Sequence, residues 1–500
     1  AALAVVEPRG SGIGGGGFWL LHRESDGFQV MIDGRERAPL AASRDMYIES
    51  GGRRSRGSLD GPLSAAIPGV PAALEHLAEH YGRLPLARSL APAIRLAEEG
   101  FEVDPYYRRY ATFRLDALRR YPSTASVFLK DNKVPPLGHR VFQPQLARTL
   151  ERIAAQGAAG FYAGKVADML VEAVRAAGGI WTREDLAAYE VVERQPVVGR
   201  YGDMRVVSAA PPSAGGIALV TMLNILELYD PENLDEVTRT HLVIEAMRHA
   251  YHDRARYLGD PDHTVVPTAR LAAADNAGRK RRHIDLDRAT PSATLEAAAD
   301  PTGSGGDTTH FSVIDKEGNR VAATLSINYP FGSGFMVPGT GVLLNDEMDD
   351  FSARPGEPNA YGLVGAEANA IAPGKRPLSS MTPTFLEAPG RIAVLGTPGG
   401  SRIITMVLLA TLEFTQGGEA ASMVSLPRFH HQYLPDRVVH EGDALKGPLR
   451  DELAARGHHL EVVGSGSGRY GNMQAVVWDL ENGHIEAASD PRQGGAGIVR

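Results

Sequence analysis

Residues 308–328 carry the pattern of a β-hairpin in the interior of the chain. Side chains alternate in character along 308–314 as they do in a strand. "DKEGN", residues 315–319, reads as a turn, and "RVAATLSIN" reads as the returning strand. The chain also contains 56 glycines and 33 prolines, so it needs many turns. Both features predict a fold that contains sheets and argue against a helical bundle.

Composition excludes several classes of function. A length of 500 residues suggests about three domains, and 43% hydrophobic with 22% charged residues is ordinary for a globular protein. The net charge of −8 favours neither nucleic acid nor an anionic membrane as a partner. The absence of cysteine excludes disulfides, thiolate catalysis and zinc–thiolate sites. No apolar run reaches the ~18 residues of a membrane span.

Periodicity predicts alternating helical and strand regions before the hairpin. Helical patterns dominate 71–177, and a capping-box pattern begins at Thr182. Strands are predicted over 191–209, with helices over about 217–228 and about 236–257.

Residues 259–306 lose both periodicities and contain few large apolar residues, so we expect a mobile surface segment there. The opening sequence, "AALAVVEPRGSG", has no Met, shows no signal peptide and starts as if within a helix. We therefore expect that an upstream segment has been removed.

Gly10, Gly12 and Gly15 formally match the G-x-G-x-x-G pattern of dinucleotide sites. That interpretation requires a strand before the glycines and a helix after them, whereas a strand, "FWLLH", follows here. A nucleotide site is therefore disfavoured.

Thr308 is a candidate nucleophile that needs a base beside it. His310 lies two residues along the strand, about 6.6 Å away at the backbone, which is awkward for a hydrogen bond. Cleavage between Asp307 and Thr308 would instead give Thr308 a free α-amine with a pKa of about 7.7–8.0. Such an amine can act as the base. On spacing alone, an ordinary buried strand remains the alternative.

Three further motifs each allow a functional and a structural interpretation. Gly399 and Gly400 precede an apolar helix, with Ser401 as a plausible N-cap, and their amides could stabilise an oxyanion or simply form a tight turn. Ser379 and Ser380 lie between prolines, where they could orient a carboxylate or satisfy a turn.

The third motif is acidic: Asp346, Glu347, Asp349 and Asp350 could bind a metal or a substrate ammonium, or form a solvated turn.

A histidine-containing stripe offers a rival site. His241, Glu245, His249 and Asp253 recur every four residues along one predicted helix. They could form half of a metal site, but there is no H-E-x-x-H motif, and such a stripe is more often the solvated face of a helix.

Taken together, the motifs resemble the γ-glutamyltranspeptidase family, which belongs to the N-terminal-nucleophile hydrolases. The resemblance rests on "DTTHFSVIDKEGN", "LLNDEMDDFSARPGEPNAYGL", "KRPLSSMTPTF", "GTPGGSRIIT" and "RFHHQYLPD", and also on "SGIGGGGF", "IDGRERAP", "PPSAGG" and "YLGDPD". These segments span nearly all of the chain.

The resemblance implies an α+β fold, a four-layer αββα sandwich of two antiparallel sheets between helical layers. It implies autocatalytic cleavage at Asp307–Thr308 into a large chain (1–307) and a small chain (308–500). The two chains would stay intertwined as one heterodimeric domain, so the estimate of three domains would mislead.

The same resemblance implies roles for individual residues. Thr308 would be the nucleophile, Thr309 would help to hold its amine, and Gly399 and Gly400 would supply oxyanion amides. Substrate contacts would come from a larger set: Arg35, Ser379 and Ser380 at the α-carboxylate, Asn328, Glu347 and Asp350 at the α-ammonium, and Tyr361 in a lid loop. Ser326 departs from the family's usual threonine and keeps the hydroxyl while losing the methyl that fixes its rotamer.

The implied reaction transfers the γ-glutamyl group of glutathione or a similar amide to water or to an amino acid or peptide acceptor, with no metal or organic cofactor. The family also implies a periplasmic or secreted location. A glutaryl (cephalosporin-type) acylase of the same fold, a metallohydrolase on the histidine stripe and a non-catalytic binding protein remain alternatives, and Asp350 argues against the acylase.

Overall fold

The computed structural model describes residues 1–50, 54–230, 233–295, 308–463 and 470–500. Asp307 lies outside the described residues, so the expected cleavage site is described only from Thr308 onwards. Residues 296–306 of the segment expected to be mobile also lie outside.

Short helices and strands alternate along the chain. The strands are β1 (Gly16–Arg23), β2 (Phe28–Gly34), β3 (Phe101–Glu102), β4 (Arg140–Val141), β5 (Val192–Arg194), β6 (Val197–Tyr201), β7 (Met204–Ser208), β8 (Thr309–Ile314), β9 (Arg320–Ser326), β10 (Met336–Val337), β11 (Val342–Leu343), β12 (Thr384–Ala388), β13 (Arg391–Gly396), β14 (Phe429–His430), β15 (Val438–Glu441), β16 (Leu460–Val463), β17 (Gln474–Asp479) and β18 (Ile485–Ser489). The α-helices are α1 (Ala2–Val6), α2 (Val70–His80), α3 (Leu86–Glu99), α4 (Pro105–Phe113), α5 (Leu115–Arg120), α6 (Pro122–Phe128), α7 (Pro144–Gln156), α8 (Ala159–Tyr162), α9 (Gly164–Ala176), α10 (Arg183–Ala187), α11 (Gly215–Glu227), α12 (Glu236–Tyr257), α13 (Thr268–Leu271), α14 (Ala274–Arg281), α15 (Ile403–Thr415), α16 (Ala420–Ser425) and α17 (Gly447–Ala455).

Two antiparallel sheets form the centre of the molecule. One has the strand order β5-β2-β1-β9-β8, and the other has the order β18-β17-β13-β12-β7-β6. Each sheet therefore combines strands from before residue 295 with strands from after residue 308.

Alternation along β1 shows how the layers pack. Phe18 and Leu20 share an apolar core with Phe385 of the second sheet and with helices α11, α12 and α15. Trp19 and Leu21 point the other way, into a second core built with helices α2, α3, α7 and α9. Because both faces of β1 are buried, the sheets lie between two helical layers, and the predicted four-layer αββα fold is confirmed.

The predicted hairpin is β8 and β9. The two strands pair from Thr309 opposite Leu325 to Ile314 opposite Arg320. The Asp315 amide donates to the Asn319 carbonyl at 3.0 Å and closes the turn. Thr308 therefore lies at the point where the chain enters the first sheet, beside the end of β9.

The glycine-rich run before β1 serves close packing. A Cβ on Gly15 would lie 2.1 Å from the Ser326 carbonyl oxygen, and a Cβ on Gly14 would lie 2.1 Å from the Leu343 carbonyl oxygen. A side chain at either position would separate these backbones. The glycines thus allow the run to pack beside Ser326, with strand β1 following as the sequence predicts.

The prediction that the stripe on α12 faces solvent is wrong. His241 and Glu245 are fully buried, and His249 and Asp253 are also buried, because α12 packs on its neighbours all round. In the described part of the chain, no group of three or more His, Asp or Glu side chains is arranged to hold a metal ion. None of the helices there combines the length and the apolar character that crossing a membrane requires.

Residues 259–295 contain helices that the sequence analysis did not predict, α13 and α14. Their contact with α11 is partly polar: the Thr221 hydroxyl donates to the Leu271 carbonyl at 3.1 Å, and the Asn224 amide donates to the Ala272 carbonyl at 2.9 Å. Both bonds lie at the C-terminal end of α13, and each helix places only one residue, Leu271 or Ala277, in the main apolar core, so periodicity gives little signal. Mobility of the whole segment 259–306 stays a prediction.

Buried neutral histidines predict acid sensitivity. Burial lowers the pKa of His249 to about 3, of His431 to about 4 and of His458 to about 2. An unfolded chain protonates its histidines near pH 6.5, so below that pH the unfolded state binds more protons than the folded state. The free energy of unfolding should therefore have its full value above pH 6.5 and decrease as the pH falls towards 4. At pH 5 each such group should cost up to about 2 kcal/mol.

The thermal unfolding midpoint at pH 7.5 and pH 5.0 measures this effect. His458→Gln should reduce the difference between the two pH values, because it removes one buried titrating group. His459→Gln is the matched control, since His459 is exposed and should leave the difference unchanged. Equal midpoints at both pH values for the wild type would contradict the prediction.

Candidate active site

Thr308 and Ser326 meet where β8 begins and β9 ends. The Thr308 Oγ1 lies 3.3 Å from the Ser326 Oγ, and both residues are buried. The backbone N–H of Asn328 donates to the Ser326 Oγ at 2.8 Å and so fixes that hydroxyl. Hairpin pairing is what joins these residues, which are separated by 18 positions. The hydroxyl retained at Ser326 therefore reaches the predicted nucleophile without the methyl group.

His310 is held away from Thr308. Its Nδ1 lies 2.7 Å from the Thr324 hydroxyl and its Nε2 lies 3.0 Å from the Ser312 hydroxyl. A Cβ on Gly396 would meet the ring at 2.2 Å, so the imidazole is pressed against the second sheet. Burial lowers the pKa of His310 to about 3. The ring is thus a neutral spacer between sheets, which leaves no base role for it at Thr308.

Thr309 contacts a carboxylate that the sequence analysis did not single out. Its Oγ1 donates to the Glu7 Oε2 at 2.7 Å, and Glu7 also pairs with Arg9 at 2.8 Å. The residue next to the nucleophile is thereby tied to the segment after α1. Its role in holding the amine stays a prediction.

One small pocket, with about 20 Å³ of space open to a water molecule, brings most of the predicted site residues together. Its lining includes Thr308, Ser326, Arg35, Asn328, Glu347, Asp350, Tyr361, Ser379, Ser380 and Gly400. Thr309 and Gly399 adjoin residues of this lining. The residues come from both parts of the chain, so the pocket exists only when those parts are folded together.

Arg35 follows β2 and forms ion pairs with the pocket carboxylates. It pairs with Glu347, and its Nη2 lies 2.7 Å from the Asp350 Oδ2. Its Nε donates to the Pro377 carbonyl at 3.1 Å. Burial raises the pKa of Glu36, beside Arg35, to about 7, and it also raises the pKa of Glu347. The residues predicted to bind the substrate's α-carboxylate and α-ammonium are therefore in direct contact. Three carboxylates, those of Glu36, Glu347 and Asp350, lie beside the guanidinium of Arg35.

The acidic motif divides into structural and pocket-facing residues. Asp346 accepts from the Tyr329 amide at 2.9 Å. Asp349 pairs with Arg54 and accepts from the Ser58 hydroxyl at 2.7 Å. Neither Asp346 nor Asp349 lines the pocket, so only Glu347 and Asp350 of the motif remain to meet a ligand.

Asn328 lies in the left-handed region, with φ at +71°. Its side-chain Nδ2 donates to the backbone carbonyl of Asp346 at 3.0 Å, and its backbone carbonyl accepts from the Tyr361 hydroxyl at 2.8 Å. These bonds hold a strained residue in place at the pocket wall.

Ser379 and Ser380 also line the pocket. The Ser379 hydroxyl accepts from the Met381 amide at 3.1 Å, and the Ser380 hydroxyl accepts from the Arg254 Nη2 at 3.2 Å. Arg254 is a buried arginine on α12 that the sequence analysis missed. A single arginine in a long charged helix carries no pattern, so only the fold shows that it lies behind a pocket residue.

Gly399 and Gly400 form a tight turn with φ at +143° and +57°. A Cβ on Gly400 would lie 2.6 Å from the Tyr361 ring, so the ring packs flush against this turn. The prediction of Ser401 as a helix N-cap is wrong: Gly400–Arg402 form a 3₁₀ turn, and α15 has Arg402 at its N-cap. The role of the two glycine amides at an oxyanion stays a prediction.

Comparison with known proteins covers the whole chain. A family model described as Gamma-glutamyltranspeptidase matches residues 1–499. The glutathione hydrolase proenzyme of Escherichia coli (strain K12) is 40% identical over 497 residues, which cover 98% of this chain and 84% of the relative. The glutathione hydrolase proenzyme of Pseudomonas sp. (strain A14) is 43% identical over 466 residues, covering 91% of this chain and 80% of the relative.

Solved structures of related proteins share this fold. The cephalosporin acylase from Bacillus halodurans superposes with a TM-score of 0.83 at 27% identity, covering 98% of this chain and 88% of that one. The gamma-glutamyltranspeptidase of Helicobacter pylori superposes with a TM-score of 0.58 at 37% identity, covering 59% of this chain and 85% of that one. The acylase match includes both parts of the chain that line the Thr308 pocket.

Proposed function

This chain belongs to the γ-glutamyltranspeptidase family and is an acyl-transfer enzyme, and we propose that Thr308 takes the γ-glutamyl group from glutathione and related amides. The observation that carries the proposal is the convergence of Thr308, Arg35 and Asp350 in one pocket. That pocket offers a nucleophile, a cation and a carboxylate to a substrate that carries a γ-carbonyl, an α-carboxylate and an α-ammonium.

The reaction begins after cleavage frees the α-amine of Thr308. That amine takes the proton from Oγ1 as Oγ1 attacks the γ-carbonyl. The amides of Gly399 and Gly400 stabilise the oxyanion, and Ser326 holds the Thr308 hydroxyl. The amine then gives its proton to the leaving amine. Water or an acceptor amine then attacks the γ-glutamyl-threonine ester; the α-amine takes a proton from this nucleophile and returns it to Oγ1 as the ester bond breaks.

Recognition of the glutamyl group exchanges ion pairs. Without substrate, Arg35 is paired with Glu347 and Asp350. The α-carboxylate of the substrate takes over Arg35, and its α-ammonium pairs with the two carboxylates that Arg35 releases. Each buried charge thus keeps a partner, as low-dielectric surroundings require. A substrate that has only the carboxylate would strand Asp350.

Three anilides test the function. The γ-glutamyl p-nitroanilide should be the best substrate, since it offers all three groups at the right spacing. The α-glutamyl isomer should react at background rates, because its scissile carbonyl takes the place of the α-carboxylate. A preference for glutaryl p-nitroanilide, which lacks the ammonium, would instead indicate the acylase. No turnover of any of the three by cleaved protein would indicate a binding protein.

Interlocked strands support a stable heterodimer after cleavage. In the first sheet β1 of the large chain pairs with β9 of the small chain, and in the second sheet β7 pairs with β12. Separation of the chains would break both sheets and open both apolar cores. We therefore expect that the two chains separate only when the protein unfolds.

The pH profile tests the identity of the base. If the base is the α-amine of Thr308, kcat/KM should rise as the pH passes through about 7.7–8.0 and the amine loses its proton. Repeating the profile with the glutaryl anilide, which has no amine, assigns this limb to the enzyme. A limb near pH 6.5 with both substrates would indicate a histidine base and contradict the proposal.

A further inference from the structure

Gln432 lies between two walls of the pocket without lining it. One wall is the loop of residues 354–365, called here the cover loop, which carries Tyr361. The other is the turn that carries Gly400, followed by Ser401. Tyr361 is buried, lines the pocket and packs its ring against Gly400, so the cover loop and the turn meet at this side chain.

The side-chain amide of Gln432 bonds to both walls. Its Nε2 lies 2.9 Å from the Gly362 carbonyl and 3.3 Å from the Tyr361 carbonyl, both in the cover loop. Its Oε1 accepts from the Ser401 hydroxyl at 2.7 Å and lies 2.8 Å from the His430 Nε2. Because the nitrogen faces carbonyl oxygens, the orientation of the amide follows from its partners.

We propose that Gln432 is a positioning residue that holds the cover loop closed against the Gly400 turn and so couples closure of the pocket to the geometry of the oxyanion amides. This inference rests on the proposed function, because it concerns the same pocket. Gln432 acts through Tyr361 and Ser401 and touches no reacting atom.

Replacing the side-chain amide of Gln432 with a carboxylate separates its contact with the cover loop from its contact with the Gly400 turn. Gln432→Glu keeps an oxygen that accepts from Ser401 and His430, but it places a second oxygen against the carbonyls of Tyr361 and Gly362. The cover loop should then open, while the turn keeps its bond. Gln432→Met has a similar length and removes the bonds to both walls.

Deuterium uptake in peptides spanning 354–365 measures opening without reference to activity. Each hydrogen bond removed is worth roughly a factor of 2–10, so Gln432→Glu should increase uptake rates in the cover loop by about tenfold or more. Uptake in α7, far from the pocket, should stay at the wild-type rate. Gln416→Glu introduces the same charge at an exposed position and is the matched control, with uptake and kinetics like the wild type.

Kinetics on the γ-glutamyl anilide give the second readout. Gln432→Glu should raise KM about tenfold with a smaller change in kcat, since the turn is kept, whereas Gln432→Met should raise KM and also lower kcat. Wild-type uptake rates in the cover loop of both Gln432 variants, or an increase spread evenly over the protein, would overturn the proposal. If the wild type is inactive while the uptake result holds, the proposed function fails and the closure device stands.

Discussion

Thr308→Ala should leave the protein as one uncut chain of 53.5 kDa and remove its activity. The wild type should split into residues 1–307 and 308–500. The variant lacks both the hydroxyl that cleaves the chain and the hydroxyl that attacks substrate, so kcat should fall by at least about 10⁴-fold, as when other nucleophiles are removed. A denaturing gel, intact mass and turnover of the γ-glutamyl anilide measure these effects.

Two variants control this experiment. Thr415→Ala removes an exposed threonine hydroxyl far from the pocket, so it should be cleaved and active. Ser326→Thr keeps the hydroxyl that lies 3.3 Å from Thr308 and restores the methyl that fixes its rotamer, so its rate should equal or exceed that of the wild type. Turnover by uncut wild-type protein would contradict the proposed mechanism.

Local patterns predicted the elements that local forces determine. The hairpin at Thr308, the capping box at Thr182 and the helices over about 217–228 and 236–257 all occur. Their signals, which are alternation, turn residues and helical spacing, lie within a few residues of each other in the sequence. The two sheets and their layers required the family resemblance, because pairings such as β1 with β9 join residues about 300 positions apart.

Contacts across the chain explain what the sequence could not show. The stripe of His241 and Glu245 has the spacing of a solvated face, yet it is buried, because periodicity does not report what covers a face. Arg254, Glu7 and Gln432 bond to site residues or to their neighbours from distant segments. Gln432 lies within the quoted segment "RFHHQYLPD", but no spacing in that segment or around Arg254 and Glu7 indicates these contacts.

The ion pair between Arg35 and Asp350 is another contact that the sequence could not predict. The resemblance assigned Arg35 and Asp350 to opposite charges of the substrate, and the structure places them 2.7 Å apart. A residue's role toward a ligand does not fix its partner when the ligand is absent. This contact matters for specificity, since a ligand that breaks the ion pair between Arg35 and Asp350 must offer each of them a new partner.

Asp350→Asn should weaken selection of the γ-glutamyl group. Removing one partner of a desolvated charge pair costs about 2–5 kcal/mol, which is roughly 30- to several-thousand-fold in kcat/KM for the γ-glutamyl anilide. Self-cleavage should persist, because it needs Thr308 and not the substrate's ammonium. Asp349→Asn is the matched control: its carboxylate pairs with Arg54 and accepts from the Ala360 backbone N–H at 2.8 Å without contacting Arg35, so it should lower stability and leave the preference between substrates unchanged.

The glutaryl anilide separates a lost ammonium contact from general damage. When this substrate takes Arg35 from Asp350, the wild type must leave that half-buried carboxylate without its ion pair, and an uncharged amide avoids this cost. Hydrolysis of the glutaryl compound by Asp350→Asn should therefore stay level or improve while γ-glutamyl hydrolysis falls. Arg35→Ala should impair both, since both substrates carry the carboxylate. Equal losses on the two anilides in a fully cleaved Asp350→Asn protein would show that Asp350 does not bind the ammonium.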